Sequence, residues 1–140
     1  MTLTSGAALA TALFVSVLLG SVVPSAAKES VSELDRCLGT APAGDLPAKD
    51  CYVAQAQRND VRLNREWSRL MKQVGGAKTP VGNALTNAQR AWLRYRDAAC
   101  VNYVVDGGTL DRLLGQMCYT NLVATRADEL ARLAEHYSDY

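Results

Sequence analysis

LTNAQRAWLRYRDAAC, from Leu85 to Cys100, carries an aromatic pair, three arginines, an aspartate and a cysteine, with no glycine or proline. Around it Val81, Leu85, Ala88, Trp92, Tyr95 and Ala99 recur at spacings of three and four, which predicts an amphipathic helix with an aromatic core face. Gly82 weakens its start, so firm helix is expected from about Ala84; Gly107 and Gly108 end it after Asp106. This segment is expected to be the central helix of the protein.

Working outward, Gly75, Gly76, Thr79 and Pro80 read as a tight connection to an earlier antiparallel helix. That helix runs to Val74, with Val53, Ala56, Leu63, Trp67, Leu70 and Val74 on one stripe, Asp45 as its expected N-cap and Pro47 in its first turn. Asp60 occupies the one gap in the stripe, where a carboxylate needs a partner. Downstream, a helix from Thr109 or Leu110 toward Tyr137 presents Leu114, Cys118, Leu122, Leu130, Leu133 and Tyr137, with Arg126 in a similar gap. An Asp60–Arg126 ion pair across the helices is one expectation, with Asp97 as the competing acid. The other is an Arg126 at the stripe's edge, extending to water. Ser30 to Leu38 reads as a short helix and Gly39 to Pro47 as a loop. The predicted class is all-α, a small bundle of three main antiparallel helices preceded by a short N-terminal segment, with no strand pattern or repeat.

Residues 1–27 carry no Lys, Arg, Asp or Glu, and Ala7 to Val23 is nearly unbroken apolar sequence ending at Pro24. Ser25 and Ala27 then supply a small-x-small site, so 1–27 reads as a signal peptide cleaved after Ala27, leaving 28–140 as one domain without a membrane segment. The rival reading of the run is a membrane anchor. No cysteine lies near the site to take a lipid. All the charge falls in the domain, 15 basic against 14 acidic residues, a balance that gives no footprint for nucleic acid or an anionic membrane.

Cys37, Cys51, Cys100 and Cys118 form an even set in an exported chain and predict two disulfides. Structural zinc sites use short C-x(2-4)-C pairs, which this chain lacks. Each half of the chain holds one close pair, so Cys37–Cys51 and Cys100–Cys118 is the expected connectivity, with crossed pairings open.

These elements carry a resemblance. A cysteine before the first long helix, Asp60 with Leu63-Asn64 and Trp67, AQRAWLRYRDAAC at Ala88 to Cys100, a glycine pair, Cys118 and R-x-x-E-L at Arg126 to Leu130 together resemble the LprI-type lysozyme inhibitor family. The resemblance implies a bacterial, exported, helical, disulfide-bearing domain, periplasmic or secreted, whose partner is a protein, with a lysozyme as the leading target. The alternative is an exported helical module that binds another envelope protein or a glycan.

Lysozyme, as a retaining glycosidase, presents two carboxyl groups in a cleft, and the planar fork of arginine suits a carboxylate. Arg90, Arg94 and Arg96 are therefore the partner-binding candidates; Arg90 and Arg94 share an outward row, and Arg96 lies nearer the core edge. The turns Gly75 to Gly82 and Asp106 to Thr109 are further contact candidates. Catalysis is not expected. The single histidine is His136 near the C-terminus, both cysteine pairs are committed to bridges, and no phosphate loop, cofactor motif or metal pair is present.

Overall fold

The computed structural model describes residues 32–103 and 105–138, and within them the protein is all-helical. The expected leader lies outside the described residues. The order is α1 (Glu33–Thr40), α2 (Asp45–Gln73), α3 (Pro80–Ala99), a short 3-10 turn at Val101–Tyr103, and α4 (Thr109–His136). Among the described residues no helix is long and apolar enough to cross a membrane.

The helix ends follow from local chemistry. Ser32 caps α1, its hydroxyl accepting the Asp35 N–H at 3.1 Å, and the acids Glu33 and Asp35 sit at the positive end of the helix. Gly44, with φ of 131°, is the N-cap of α2. Asp45, the expected cap, is instead the first helical residue, and its carboxylate accepts the Thr109 hydroxyl at 2.8 Å. At the other end of α2 the Gly76 N–H bonds the Met71 carbonyl at 2.8 Å and the Gly75 N–H bonds Lys72 at 3.3 Å. With Gly75 at φ 77° this is a Schellman ending. Thr79 then caps α3, accepting the Gly82 N–H at 3.0 Å, and Pro80 opens the helix.

α2 and α4 form the centre, in place of the α3 expected there. Their cross-contacts advance together along both chains: Asp45 with Thr109, the Tyr52 carbonyl with the Thr120 hydroxyl at 3.1 Å, Arg62 with Asp128, and Arg69 with Glu135 at 4.0 Å. The two helices are therefore parallel neighbours, as the first and third members of an up-down-up bundle must be. Leu63 and Leu70 from α2 pack with Val123, Ala127, Leu130 and Ala134 from α4, and the two alanines leave room for close approach. α3 stands farther off and reaches this core through long side chains, chiefly Leu85 and Trp92. Cys37–Cys51 ties α1 to α2, assisted by Arg58–Glu33 at 2.9 Å, and Cys100–Cys118 ties the end of α3 to α4. Both bridges match the expected pairing.

The buried stripes differ in phase from the sequence reading. On α3 the inward row is Gly82, Leu85, Gln89, Trp92 and Arg96, while Val81, Ala88 and Tyr95 face water. On α2 the gap is filled by Asn59, whose amide bonds the Thr120 carbonyl at 3.3 Å; Asp60, one position on, is half-buried at the edge. Glu66 is also buried, its two oxygens held by Arg65 at 2.8 Å and Arg69 at 3.3 Å.

The expected Asp60–Arg126 pair is not formed. Arg126 is buried, as the stripe required, but its Nε donates to Gln89 at 2.9 Å and its Nη1 pairs with Glu129 at 2.7 Å, with the guanidinium 5.7 Å from the Trp92 ring. Asp60 has no ion pair among the described residues. Asp97 is taken by Arg96. Arg126→Ala should therefore cost about 2 kcal/mol, because it strands the buried Gln89 oxygen and uncovers Trp92. Asp60→Ala should stay within about 1 kcal/mol. Paired urea denaturation curves check the order, and equal costs would contradict it.

Candidate partner-binding surface

α3 ends at Ala99, short of the expected Asp106. Cys100 is pinned to α4, the β-branched Val101 follows, and the chain makes one 3-10 turn before reversing. The next stretch is held from the other side. One oxygen of Asp111 accepts the backbone N–H groups of Val105, Asp106 and Gly107 at 3.1, 2.7 and 3.0 Å, and Gly107 takes φ of 73°. A cystine and a carboxylate thus brace a short ridge between α3 and α4.

The ridge presents apolar side chains to water on either side of the exposed Asn102. Val101, Tyr103 and Val105 are 63%, 48% and 79% exposed, and Tyr95, Leu110 and Leu114 add exposed apolar surface from the adjoining helices. Grooves flank it. One, of about 480 Å³, is lined by Lys49, Arg96, Asp97, Cys100, Val101, Arg112 and Tyr119 among others. The other, of about 370 Å³, lies among Tyr95, Ala99, Tyr103, Cys118, Leu122 and Thr125. Scattered apolar residues on a surface need no explanation, whereas a braced cluster of this kind is a candidate contact surface.

The arginines of the AQRAWLRYRDAAC segment separate into two roles. Arg90 and Arg94 are exposed and form no ion pair among the described residues. Arg96 is largely enclosed: its guanidinium lies 5.7 Å from the Trp92 ring and 5.4 Å from the Tyr119 ring, and its Nε and Nη2 donate to one Asp97 oxygen at 2.9 and 2.7 Å. Partial burial works against its charge, yet the Asp97 hydrogen bond, with the charges of Tyr119, Asp97 and Asp60, raises its pKa above the usual arginine value. Arg96 therefore acts on the inside face as a charged spacer between two rings. Asp60 borders a smaller hollow with Val53, Gln57, Gln116 and Tyr119.

Sequence reasoning placed the outward pair and missed the ridge. Val101 and Tyr103 were absorbed into an overlong helix, and Lys49 and Arg112 carry no motif. The available signal was the crowding of Val101, Tyr103 and Val105 between a cysteine and two glycines, apolar residues that fit no helical stripe. Among the described residues no group of three or more His, Cys, Asp or Glu side chains is placed to hold a metal.

The fold and this surface define a small cystine-braced helical domain with an exposed apolar face. The profile of the family described as lysozyme inhibitor LprI matches residues 37–130, more than half of the chain, and the protein belongs to that family. It is also similar to a protein described as uncharacterized from Rhizobium meliloti (strain 1021), 28% identical over 110 residues, which cover 77% of this chain and 78% of the relative. No solved structure matches the chain.

Proposed function

We propose that this protein is an exported inhibitor of a lysozyme, and that it blocks the enzyme by seating Val101, Tyr103 and Val105 against the mouth of the active-site cleft. Family membership supports the inhibitor class, and the two disulfides support an oxidising compartment, periplasmic or extracellular. The observation that carries the contact surface is the braced ridge itself, with Val101 and Tyr103 exposed on a backbone fixed by Cys100–Cys118 and Asp111. A convex segment already held in place loses little freedom on binding, which is where affinity is usually lost. Arg94, on the exposed side of α3, is the cation available to meet a cleft carboxylate.

A lytic assay with the oxidised domain tests the reading against chicken-, goose- and invertebrate-type lysozymes. Inhibition is expected at micromolar protein or below, and its absence for all three classes would end the proposal. The Val101→Asp, Tyr103→Asp double variant should weaken inhibition at least about tenfold, as loss of a central apolar anchor does. Its melting curve should be unchanged, because neither side chain is buried. Full potency in that variant would remove the ridge from the interface.

A further inference from the structure

The groove on the α2 side of the ridge gathers positive charge. Lys49 from α2, Arg96 from α3 and Arg112 from α4 all line it, against Asp97 as the acid in its wall. Asp97 is occupied by two nitrogens of Arg96, leaving Arg96 Nη1 with no hydrogen bond among the described residues. Lys49 meets only the exposed Asp50, at 3.9 Å, and Arg112 has no ion pair among the described residues. The neighbouring hollows are unlike it: one holds Asp60 as its charged group, and in another Arg62 is already paired with Asp128.

Helix direction strengthens the same field. Because α2 and α4 are parallel, their N-termini lie side by side, joined by the Thr109–Asp45 hydrogen bond, and Arg112 stands in the first turn of α4. A cation is disfavoured there by the partial positive charge of the helix end. The acids at that end, Asp45 and Asp111, are engaged by the Thr109 hydroxyl and by three backbone N–H groups. The rest of the groove wall is Cys100, Val101, Gly115 and the Tyr119 ring, with Gln116 as its uncharged polar group. Its volume of about 480 Å³ is that of a small-molecule site.

We infer that this groove binds a small organic carboxylate, with the anionic group among Lys49, Arg96 Nη1 and Arg112 and an apolar or aromatic body against Val101 and Tyr119. Arginine favours a carboxylate through its planar fork, and Tyr119 supplies a ring face for the body. The inference does not rest on lysozyme inhibition, although Val101 belongs to both surfaces.

Benzoate and benzamide, equal in shape and different in charge, are the probes. In amide NMR titrations of the oxidised domain, benzoate should give saturable shifts confined to residues around Lys49, Cys100, Val101, Gly115 and Gln116, while benzamide gives little change. The Lys49→Gln, Arg112→Gln double variant, altered only at side chains at the groove's edge, should weaken benzoate at least about tenfold, as loss of charge-assisted bonds does. Arg132→Gln, an exposed cation outside the groove, should leave it unchanged. Equal shifts from benzamide would overturn the assignment, as would benzoate shifts spread over the cationic surface without saturation, or undiminished binding in the double variant. Matching melting curves for the variants establish that the comparison is between folded proteins.

Discussion

Gly82→Ala should destabilise the protein by about 3 kcal/mol and lower Tm by more than about 10 °C in a circular-dichroism melt. Propensity alone argues the opposite, since alanine in a helix interior is favoured over glycine by roughly 1 kcal/mol. Contact decides the sign. A Cβ on Gly82 would lie 2.0 Å from the Gly76 carbonyl oxygen and 2.8 Å from its carbon, and these are backbone atoms fixed by the Schellman ending of α2. Relief would require moving the turn, which would break the Gly82 N–H to Thr79 bond and the Thr79 hydroxyl's contact with the Val74 carbonyl at 2.9 Å. Gly39→Ala supplies the control: it also lies within a helix, nothing stands within 4 Å of its Cβ, and it should stabilise by about 0.5–1 kcal/mol. A neutral Gly82→Ala would show that the turn does not ride on the start of α3.

Replacing Cys100 and Cys118 by serine should cost about 3 kcal/mol, the chain-entropy value for a loop of this size. The Cys37 and Cys51 pair closes a similar loop and should cost about as much. Function separates them. Cys100 precedes the ridge directly, so its release frees the end that carries Val101 and Tyr103 while Asp111 still holds Val105 to Gly107, and the variant should lose inhibition at temperatures where it is still folded. α1 buries no residue and its cystine is tied to α2 rather than to the ridge, so the Cys37→Ser, Cys51→Ser protein should inhibit normally until it melts. Denaturation curves and lytic assays on both proteins check this, and equal loss of inhibition in the two would detach the ridge from function.

Much of the fold was legible because apolar spacing and turn residues agree. The Gly75–Pro80 break, the long second helix, the final helix and both disulfides follow from rules that act over a few residues. The failures share one cause. Counting apolar residues put Val81, Ala88 and Tyr95 in the core of α3, where the molecule instead buries Gly82, Gln89 and Arg96. Long polar side chains fill interior space as well as valine does once their ends find partners, and the partners here lie on other helices: Arg126 for Gln89, Tyr119 for Arg96. No pattern within one segment reveals that. The same error exchanged Asn59 for Asp60, and with it the predicted ion pair. For the site, the outward positions of Arg90 and Arg94 could be read from helical phase, whereas the ridge and the groove depend on where α3 stops and on the parallel alignment of α2 with α4.

The level of the two cystines along the bundle has a consequence for how the molecule opens. Cys51 and Cys118 lie beside each other in the register set by the Tyr52–Thr120 contact, so both covalent ties fall near the N-terminal ends of α2 and α4. The opposite end, with Gly75, Gly76 and the last turn of α4, has no covalent tie and is closed by the packing of Leu70, Leu130 and Ala134, by the Arg69–Glu135 contact and by hydrogen bonds. Amide exchange should then be slowest along residues 63–70 and 123–134, where the buried core lies. The N-terminal ends of α2 and α4 are held instead by the two covalent ties, so reducing the cystines should speed exchange around Cys51 and Cys118 while the core stretch stays slow.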